Sequence, residues 1–559
     1  MNISTETFKK IKLRATQLDN DFEGFRSKGR DIQQYLCPWR GRFLAGDNEK
    51  EARGELYNDE SIHNTLIFQA IDTASAGIKS GLSPSSRPWF RIGAEDSRLS
   101  ELGEPARWLA HVQRVLYSIM SRNNTYNSLQ EIYAELVTFA TCSAAVLPDN
   151  KTVSRMKTFS FGEYRLATDY RDEFNTFARR FYKTTGQLVG EFGKENVSDE
   201  VSQAFKDGHL NRMVLCQGLI DPNEEGSDLK DALGRDWRSI YWEVGTKSDA
   251  VLGVRGFEQF PIIGSVWDAV GSSVYGIGPG HKNLRNGKRL QKLEEDSLQN
   301  LALTIAPPMV TDSANKDVIV DASPWGLTRS NENPASSRAG IRMLYEQKAL
   351  TRDLEYKIER NEQALRDGFY NNIFLMMRNQ AESIKTAYQA ARMMEEKYSV
   401  LGPVLERSQQ MLSQLIQLNF AYALDYGLIP EAPVELQGSE LKIEYISILA
   451  QAQKIAGLQS IHDTMAFVST ASQIWPEARF KFDPLQAIDE VAQANGAPPS
   501  IIRSDDEVAV MMEQDAKARQ AAAQGQAMLT ASEGARNMKD VKIGGRSAIE
   551  VLMGDKANG

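Results

Sequence analysis

Apolar residues recur at helical spacing along most of the chain between Trp267 and Leu424. The first helical segment follows a glycine-rich run at positions 276–280. Its apolar positions fall on one broad helical face and are Leu290, Leu293, Leu298, Leu301 and Ile305. Two consecutive prolines, Pro307 and Pro308, remove two backbone donors and clash with the preceding turn. The pattern therefore predicts that this helix ends near Ile305.

An irregular polar stretch follows, from Thr311 to Ala339, and it is rich in Asn, Asp, Ser, Pro and Gly. These residue types are typical of turns and loops. Within the stretch, Val318-Ile319-Val320 has the composition of a strand. We predict a small protruding hairpin or loop.

Helical periodicity resumes at Ile341 and continues to Ile373, which at about 1.5 Å per residue predicts a rod of roughly 50 Å. A polar break at Arg378-Asn379-Gln380-Ala381 separates this rod from a third helix, which begins near Ala387. The third helix contains Gly402-Pro403. Because an internal proline removes a backbone hydrogen bond, we expect a kink there.

The N-terminal part predicts helices followed by strands, so the expected fold class is α+β and mainly helical. Amphipathic helical faces occur at Phe8–Phe25, Leu66–Ala74, Val112–Ile119 and Leu129–Phe139. Strand-like alternation follows near Phe159–Phe161, Phe177–Phe181 and Ile240–Val244, with turn-rich polar loops between Phe192 and Phe257. Beyond the third long helix we expect a strand at Leu441–Ile446, a helix at Ile448–Phe467 and a compact helical piece up to Pro499.

Short motifs spread over most of the chain resemble those of the head-to-tail connector, or portal, proteins of short-tailed, podovirus-type bacteriophages. Each motif is short, and the resemblance depends on their order and spacing. The motifs lie at 76–82 (AGIKSGL), 87–90 (RPWF), 161–164 (FGEY), 271–280 (GSSVYGIGPG), 306–308 (APP), 401–405 (LGPVL) and 496–499 (GAPP).

The resemblance implies a ring oligomer of about twelve subunits around a DNA channel, with each subunit divided into wing, stem, clip and crown. The implied parts are the N-terminal wing at 1–265, the wing–stem junction with the first stem helix at 266–306, the clip at 307–339, the second stem helix at 340–377, the tunnel loop at 378–386, the kinked wing helix with the wing closure at 387–475, the helical crown at 476–528 and a mobile C-terminal tail at 529–559.

Four groups of candidate functional residues follow. The tunnel loop would face the channel with Arg378, Asn379, Gln380, Glu382, Ser383 and Lys385. The clip would dock partner proteins through Asn315, Lys316, Asp317, Arg329 and Asn331. The paired stem helices would pack between neighbouring subunits through Leu354 and Ile358. The stem begins with the basic residues Lys282, Arg285, Lys288 and Arg289, for which we favour ion pairs between subunits over direct DNA contact.

The chain of 559 residues carries a net charge of −9, which is unexpected for a protein that surrounds DNA. An acidic channel wall would repel DNA and favour sliding, although mild acidity is also common among soluble proteins. The sequence has no charged-then-apolar leader and no apolar run long enough for a bilayer. We therefore expect that the protein does not associate with a membrane and that it assembles in the host cytoplasm.

The residues do not suggest an enzyme, a metal site or a cofactor. The glycine-rich run lacks the Lys-Ser or Lys-Thr of a nucleotide-binding loop, and its expected role is a backbone turn. The three cysteines are far apart and are expected to be reduced thiols: Cys37, Cys142 and Cys216. The five histidines show no ligand spacing: His63, His111, His209, His281 and His462.

The resemblance implies a protein of the virion, at one capsid vertex. Its implied partners are double-stranded DNA, the terminase large subunit, tail adaptor and tail proteins, and the major capsid and scaffold proteins. The alternative is another virion structural protein, a tail or scaffold component without a DNA channel. A nucleic-acid-processing enzyme would need an acidic metal cluster or a nucleotide loop, and we find neither in the sequence.

Overall fold

The computed structural model describes residues 5–46, 62–94, 103–223, 235–245, 250–271, 273–312, 326–330, 351–374, 387–437, 441–445 and 464–471, with short pieces and single positions elsewhere up to residue 547. The chain divides into two compact units. The first consists of Met1–Arg91, Val112–Pro430 and Ile443–Gln453, and the second of Ile92–His111, Glu431–Lys442 and Lys454–Gly559.

Long helices lie near the start of the chain and again after residue 278. They are α1 (Thr5–Leu36), α2 (Leu66–Leu82), α3 (Gly103–Arg122), α4 (Thr125–Phe139), α5 (Thr185–Phe192), α6 (Asp199–Lys206), α7 (Pro279–Ile305), α8 (Thr351–Gly368) and α9 (Ala387–Asp425). The first four confirm the four amphipathic segments expected in the N-terminal part. A short 3-10 helix spans Val434–Leu436, and residues 464–471 are helical.

Most strands lie between α4 and α7. They are β1 (Phe90–Ala94), β2 (Thr141–Asp149), β3 (Val153–Phe159), β4 (Tyr164–Thr168), β5 (Phe174–Thr184), β6 (Met213–Pro222), β7 (Trp237–Glu243), β8 (Val251–Phe257), β9 (Ile262–Val266), β10 (Met309–Asp312), β11 (Leu327–Ser330), β12 (Arg342–Met343), β13 (Leu441–Tyr445), β14 (Lys542–Ile543) and β15 (Arg546–Ser547).

Two antiparallel sheets form the central part of the first unit. One has five strands in the order β4-β5-β6-β7-β8, and the other has three in the order β3-β2-β9. Because successive side chains alternate between the faces of a strand, β6 directs Val214 and Cys216 to one face of the large sheet and Leu219 to the other. The expected strands near Phe177 and Ile240 are therefore confirmed as members of this sheet.

Helices cover both faces of the five-stranded sheet. On one face, α1 packs against it through Ile11, Ala15 and Leu18, which contact Leu219, Ile240 and Trp242. On the other face, α5 and α6 contribute Leu188, Val189 and Val201 to a core with Val214, Cys216 and Leu252. Since each face buries a continuous apolar layer, the sheet is fixed between helices.

The long helix α9 packs on the three-stranded sheet. Its buried positions include Met411, Leu412, Leu415 and Ile416. The Tyr422 hydroxyl donates to the carbonyl of Val146 on β2 at 3.0 Å. Pro403 lies inside this helix, which runs without a break from Ala387 to Asp425. The kink expected there stays a prediction.

Two helices, α7 and α8, form a pair after residue 278. The prediction for α7 is confirmed at its C-terminal end, and the prediction for α8 is wrong in length. The first helix, α7, ends at Ile305, as the two following prolines predicted. The second, α8, spans Thr351–Gly368, about 27 Å at 1.5 Å per residue. The expected rod of roughly 50 Å is wrong in extent. Arg342–Met343, expected within the helix, forms strand β12.

The region between α7 and α8 was expected to be a small hairpin or loop, and the structure contradicts the hairpin. Here β10 lies between two strands, parallel to β11 with Met309 opposite Leu327 and antiparallel to β12 with Met309 opposite Met343. A parallel pair requires a crossover and cannot close as a hairpin. The β-like run 318–320 lies outside the described residues.

Candidate functional site

The glycine-rich run before α7 packs tightly against the end of α4. A side chain at Gly280 would place its Cβ 1.9 Å from the Thr138 carbonyl oxygen, and one at Gly276 would lie 2.5 Å from that of Ala140. The amide of Gly276 also donates to the Thr141 hydroxyl at 2.9 Å. These glycines are therefore needed for close backbone approach, where the sequence suggested only a turn.

Trp267 joins three elements at the base of the helix pair. Its backbone amide donates to the carbonyl of Ala140 at 2.8 Å, which ties it to the end of α4. Its ring stacks on Tyr370, with the ring centroids 5.9 Å apart, and Tyr370 follows α8 directly. Its carbonyl accepts from the Arg407 guanidinium of α9 at 3.0 Å. Because Trp267 is only 3% exposed, these contacts fix the base of the pair rigidly.

The two helices of the pair touch through small and amide side chains. A Cβ at Gly368 of α8 would lie 2.1 Å from the Asn283 Oδ1 of α7. The amide of Asn361 donates to the carbonyl of Asn286 at 2.9 Å. Both contacts need short distances between the backbones, so a larger residue at Gly368 would force α7 and α8 apart.

Gln291 connects α7 to the segment that leads into α2. Its Oε1 accepts from the backbone amides of His63 at 2.7 Å and Asn64 at 2.9 Å, and its Nε2 donates to the Asn64 carbonyl at 3.0 Å. The Asn64 side chain in turn donates to Glu294 of α7 at 2.8 Å and Glu362 of α8 at 3.0 Å. Gln291 is 2% exposed, so this network holds the start of α2 to both helices.

Phe374 is the last described residue before the segment predicted to be the tunnel loop. Its ring lies against Gly77 of α2, where a Cβ would be 2.2 Å from its Cδ1 atom. All six candidate tunnel-loop residues, positions 378 to 385, lie outside the described residues. The contact fixes Phe374 itself against α2.

The basic residues at the start of α7 separate into two kinds. Lys288 donates to Asp31 at 2.8 Å and lies over the ring of Tyr35 at 4.9 Å. The side chains of Lys282, Arg285 and Arg289 are exposed, and they have no hydrogen bond or ion pair to any residue that the structure describes. From the sequence we predicted one common role for the four residues. In the structure, Lys288 differs from the other three because it packs within its own chain.

The other candidate residues are placed as follows. Leu354 and Ile358 of α8 are half-buried. Arg329 lies on β11 opposite Thr311. The remaining candidate clip residues, Asn315, Lys316, Asp317 and Asn331, lie outside the described residues.

Burial shifts the pKa of several ionisable groups in the first unit. Burial, with a smaller effect of Lys28, lowers the pKa of His281 to about 4, and its Nδ1 has no hydrogen-bond partner within the described part of the chain. Cys37, Cys142 and Cys216 are free and buried, and burial raises the pKa of each thiol to about 12. Such thiols are unreactive, in agreement with a packing role.

Metal-binding clusters and membrane-spanning helices are both absent from the residues that the structure describes. No group of three His, Cys, Asp or Glu side chains is arranged to hold a metal ion there. Within the same residues, no helix combines the length and the apolar character needed to cross a membrane.

Sequence reasoning missed the contacts that join the helix pair α7–α8 to α2, α4 and α9, a region that we call the junction. Gly77 belongs to one of the motifs noted in the sequence, but nothing in its local pattern indicated Phe374 as its partner. Likewise, nothing around Trp267 indicated Tyr370. Gln291 stands on the otherwise apolar face of α7, one position after Leu290. A polar residue on a buried face was the one available signal, because buried amides require hydrogen-bond partners.

Known proteins are similar in sequence to this chain over nearly its whole length. The sequence model of the family described as bacteriophage head to tail connecting protein matches residues 8–502. A portal protein of Salmonella phage epsilon15 is 33% identical over 542 residues, which is 96% of this chain and 96% of that protein. A probable portal protein of Bordetella phage BPP-1 is 31% identical over 550 residues, covering 98% of both.

Solved structures show a weaker likeness. The neck of an empty gene transfer agent particle gives a TM-score of 0.34 at 8% identity, covering 74% of this chain and 88% of that one. A native gene transfer agent virion also gives 0.34 at 8% identity, covering 72% and 86%. These values add nothing to the sequence matches. The family match and the two relatives confirm the resemblance seen in the motifs, and the chain belongs to the bacteriophage head to tail connecting proteins.

Proposed function

We propose that this chain is a phage portal, which forms a ring of about twelve copies at one capsid vertex and conducts double-stranded DNA during packaging and ejection. Family membership supports the portal role. The observation that supports the ring is an exposed apolar stripe on α7. Leu298 is 56% exposed, Leu301 51% and Ile305 68%.

The two halves of α7 behave differently within one subunit. The first half buries Gly287, Leu290 and Gln291 against the rest of the chain, whereas no residue after Gln291 in this helix is buried. Leu298, Leu301 and Ile305 are spaced three and four apart, so they share one helical face. The proposed occupant of that face is a second copy of this chain, because a ring repeats the same contact at every subunit.

Charged side chains are available at such a contact. Lys282, Arg285 and Arg289 are exposed on α7, and α8 exposes Glu355 and Glu359 among the cations Arg352, Lys357 and Arg360. In a ring, α7 of one subunit can face α8 of the next, which would bring opposite charges together. Such contacts would contribute orientation more than affinity, since exposed ion pairs contribute about 0–1 kcal/mol each.

The tunnel loop at 378–386 would line the channel. Its support is the anchoring of Phe374 on Gly77 and the polar character of Arg378, Asn379, Gln380, Glu382, Ser383 and Lys385. Weak, sequence-independent contacts suit a surface past which DNA slides. Replacing 379–383 with a Gly-Ser linker should preserve rings and reduce the nuclease-protected genome per particle. Wild-type retention of DNA would remove the loop from this role.

The clip would dock the terminase large subunit during packaging and tail adaptor or tail proteins afterwards. The test should keep β11, because it pairs with β10. Changing Asn315, Lys316 and Asp317 to Gly-Ser-Gly should leave the oligomer intact and abolish capture of purified terminase in a pull-down. Full capture by an intact ring would place the docking site elsewhere.

The protein would reside in the virion, after assembly in the host cytoplasm with capsid and scaffold proteins, and would have no enzymatic activity. Virions can be disrupted and stained with an antibody against this chain. Label at a single vertex, between head and tail, supports the portal role. Label distributed over the head or along the tail would favour another structural component.

A further inference from the structure

A basic pocket of about 370 Å³ lies between β3 of the three-stranded sheet, β5 of the large sheet and helix α5. It is lined by Lys157, Arg179, Phe181, Tyr182, Lys183, Gln187 and Glu191. Lys157 lies on β3, the four lining residues from Arg179 to Lys183 lie on β5, and Gln187 and Glu191 lie on α5. The volume is within the range of sites for small molecules and exceeds what one water molecule requires.

Two of the three cations in the pocket have carboxylate partners. Arg179 pairs with Glu163, and its Nε donates to Oε1 at 2.7 Å. Lys183 pairs with Glu191. The Lys157 ammonium group has no hydrogen bond or ion pair to any residue that the structure describes. The pocket therefore holds more positive than negative charge.

The excess positive charge is held in a partly dry environment. Burial and the neighbouring Arg179 lower the pKa of Lys157 to about 8, against an opposing effect of Glu163. Burial and the neighbouring Lys157 and Arg179 lower that of Lys183 to about 8. Two desolvated ammonium groups beside a guanidinium repel one another, so an anion that enters the pocket is favoured by all three.

The guanidinium is also preorganised. Arg179 lies over the ring of Phe181 at 4.4 Å and over that of Phe159 at 4.8 Å. Its bonds to Glu163 use Nε and Nη2, which leaves the Nη1 donors for a ligand. A guanidinium fixed between aromatic rings loses little freedom on binding, and its fork matches the geometry of an oxyanion.

We propose that this pocket binds the phosphate group of a small soluble ligand, a phosphate monoester of nucleotide size, through Lys157, Arg179 and Lys183. A dianionic phosphate fits the charge better than a carboxylate. Two further exposed cations, Arg155 and Arg255, act on these lysines in addition to the three that line the pocket. A nucleic-acid backbone is the other source of the same chemistry. The volume of the pocket favours the small ligand, and the experiment separates the two.

Isothermal titration calorimetry on the purified full-length protein tests the site, with inorganic phosphate, adenosine monophosphate and a short DNA duplex as separate probes. Wild-type protein should bind phosphate and the nucleotide saturably. Lys157→Met should weaken both by about 10- to 100-fold, since one charge-assisted hydrogen bond is lost. Lys151→Met is the matched control, because Lys151 is exposed at the turn between β2 and β3, and it should bind as wild type does.

Three results would overturn the proposal. One is the absence of saturable binding of both small probes to wild-type protein. Another is wild-type affinity in Lys157→Met. The third is binding of the duplex alone, with the same dependence on Lys157. Removing a desolvated charge should not prevent folding. Lys157→Gln gives a second variant if Met is not tolerated.

Discussion

Gly77 of α2 and Phe374, nearly three hundred positions later in the chain, occupy one contact in which no side chain at position 77 would fit. The missing Cβ would lie 2.2 Å from Cδ1, 2.3 Å from Cγ and 2.7 Å from Cβ of the phenylalanine. The overlap thus involves the root of the side chain as well as its tip. A larger residue could be accommodated only if the backbone around Phe374 moved.

The first prediction is that Gly77→Ala destabilises the protein by about 1–3 kcal/mol, although alanine has a higher helix propensity than glycine. The free energy of unfolding by urea measures the effect. Gly24→Ala is the matched control. Gly24 also lies within a helix, and a Cβ there would meet nothing within 4 Å.

The control should be neutral or slightly stabilising, by at most about 1 kcal/mol. A double variant with Phe374→Leu should recover part of the loss at position 77. Stabilisation by Gly77→Ala, equal to that of Gly24→Ala, would show that the contact is not as close as described.

The second prediction concerns the network at the start of α2. Gln291→Leu leaves two backbone amides and one carbonyl without their partner, at a cost of about 2 kcal/mol or more. Limited proteolysis should then cut the chain faster near residues 62–65. Gln299→Leu, in an exposed position on the same helix, should change neither quantity. Equal effects of the two substitutions would remove any special role from Gln291.

The third prediction is a loss of stability as the pH falls from about 6.5 to about 4, caused by His281. Its folded pKa is below its ordinary value, so within this window the unfolded chain binds a proton that the folded chain does not. Stability conferred by the neutral form is fully present above the window and falls by up to about 1.4 kcal/mol per pH unit within it.

Urea unfolding at pH 7 and pH 5 measures this contribution. His281→Gln should reduce the difference between the two values, and His209→Gln should leave it as in wild type because His209 is exposed. An undiminished difference in His281→Gln would assign the acid sensitivity to other groups.

The fourth prediction addresses the exposed basic face of α7. Replacing Lys282, Arg285 and Arg289 with glutamine should make the oligomer dissociate at lower salt, because contacts between subunits would lose their charge. Lys288→Gln should have little effect on assembly, since Lys288 pairs with Asp31 within its own chain. Light scattering across a salt series measures both. Intact rings that bind DNA less tightly would indicate phosphate contacts for these residues.

Local signals in the sequence predicted much of this architecture. The apolar spacing in α1 and the two prolines after Ile305 act on structure within a few residues. Helix α1 and the end of helix α7 could therefore be predicted from the sequence. Helix α6 was missed because it has only eight residues and buries only Val201 and Ala204. Its signal was the N-cap, since the Ser198 hydroxyl accepts from the amide of Val201 at 3.3 Å.

The contacts at the junction depend on residues that are distant in sequence, and periodicity carries no information about such pairs. The glycines of the run 276–280 illustrate the difference. Their presence suggested a turn, whereas their role depends on the carbonyls of Thr138 and Ala140. The same limit applies to the basic group, where only the position of Asp31 separates Lys288 from its neighbours.

Assembly is the central claim, and negative-stain electron microscopy of the purified protein tests it most directly. Wild-type protein should appear as rings with a central hole, each built from roughly twelve protomers of 62.5 kDa. Leu301→Asp and Ile358→Asp should abolish the rings, because each would place a charge between neighbouring helices, while Gln299→Asp should preserve them. Single subunits or solid particles in the wild-type images, or intact rings in both Leu301→Asp and Ile358→Asp, would contradict the account.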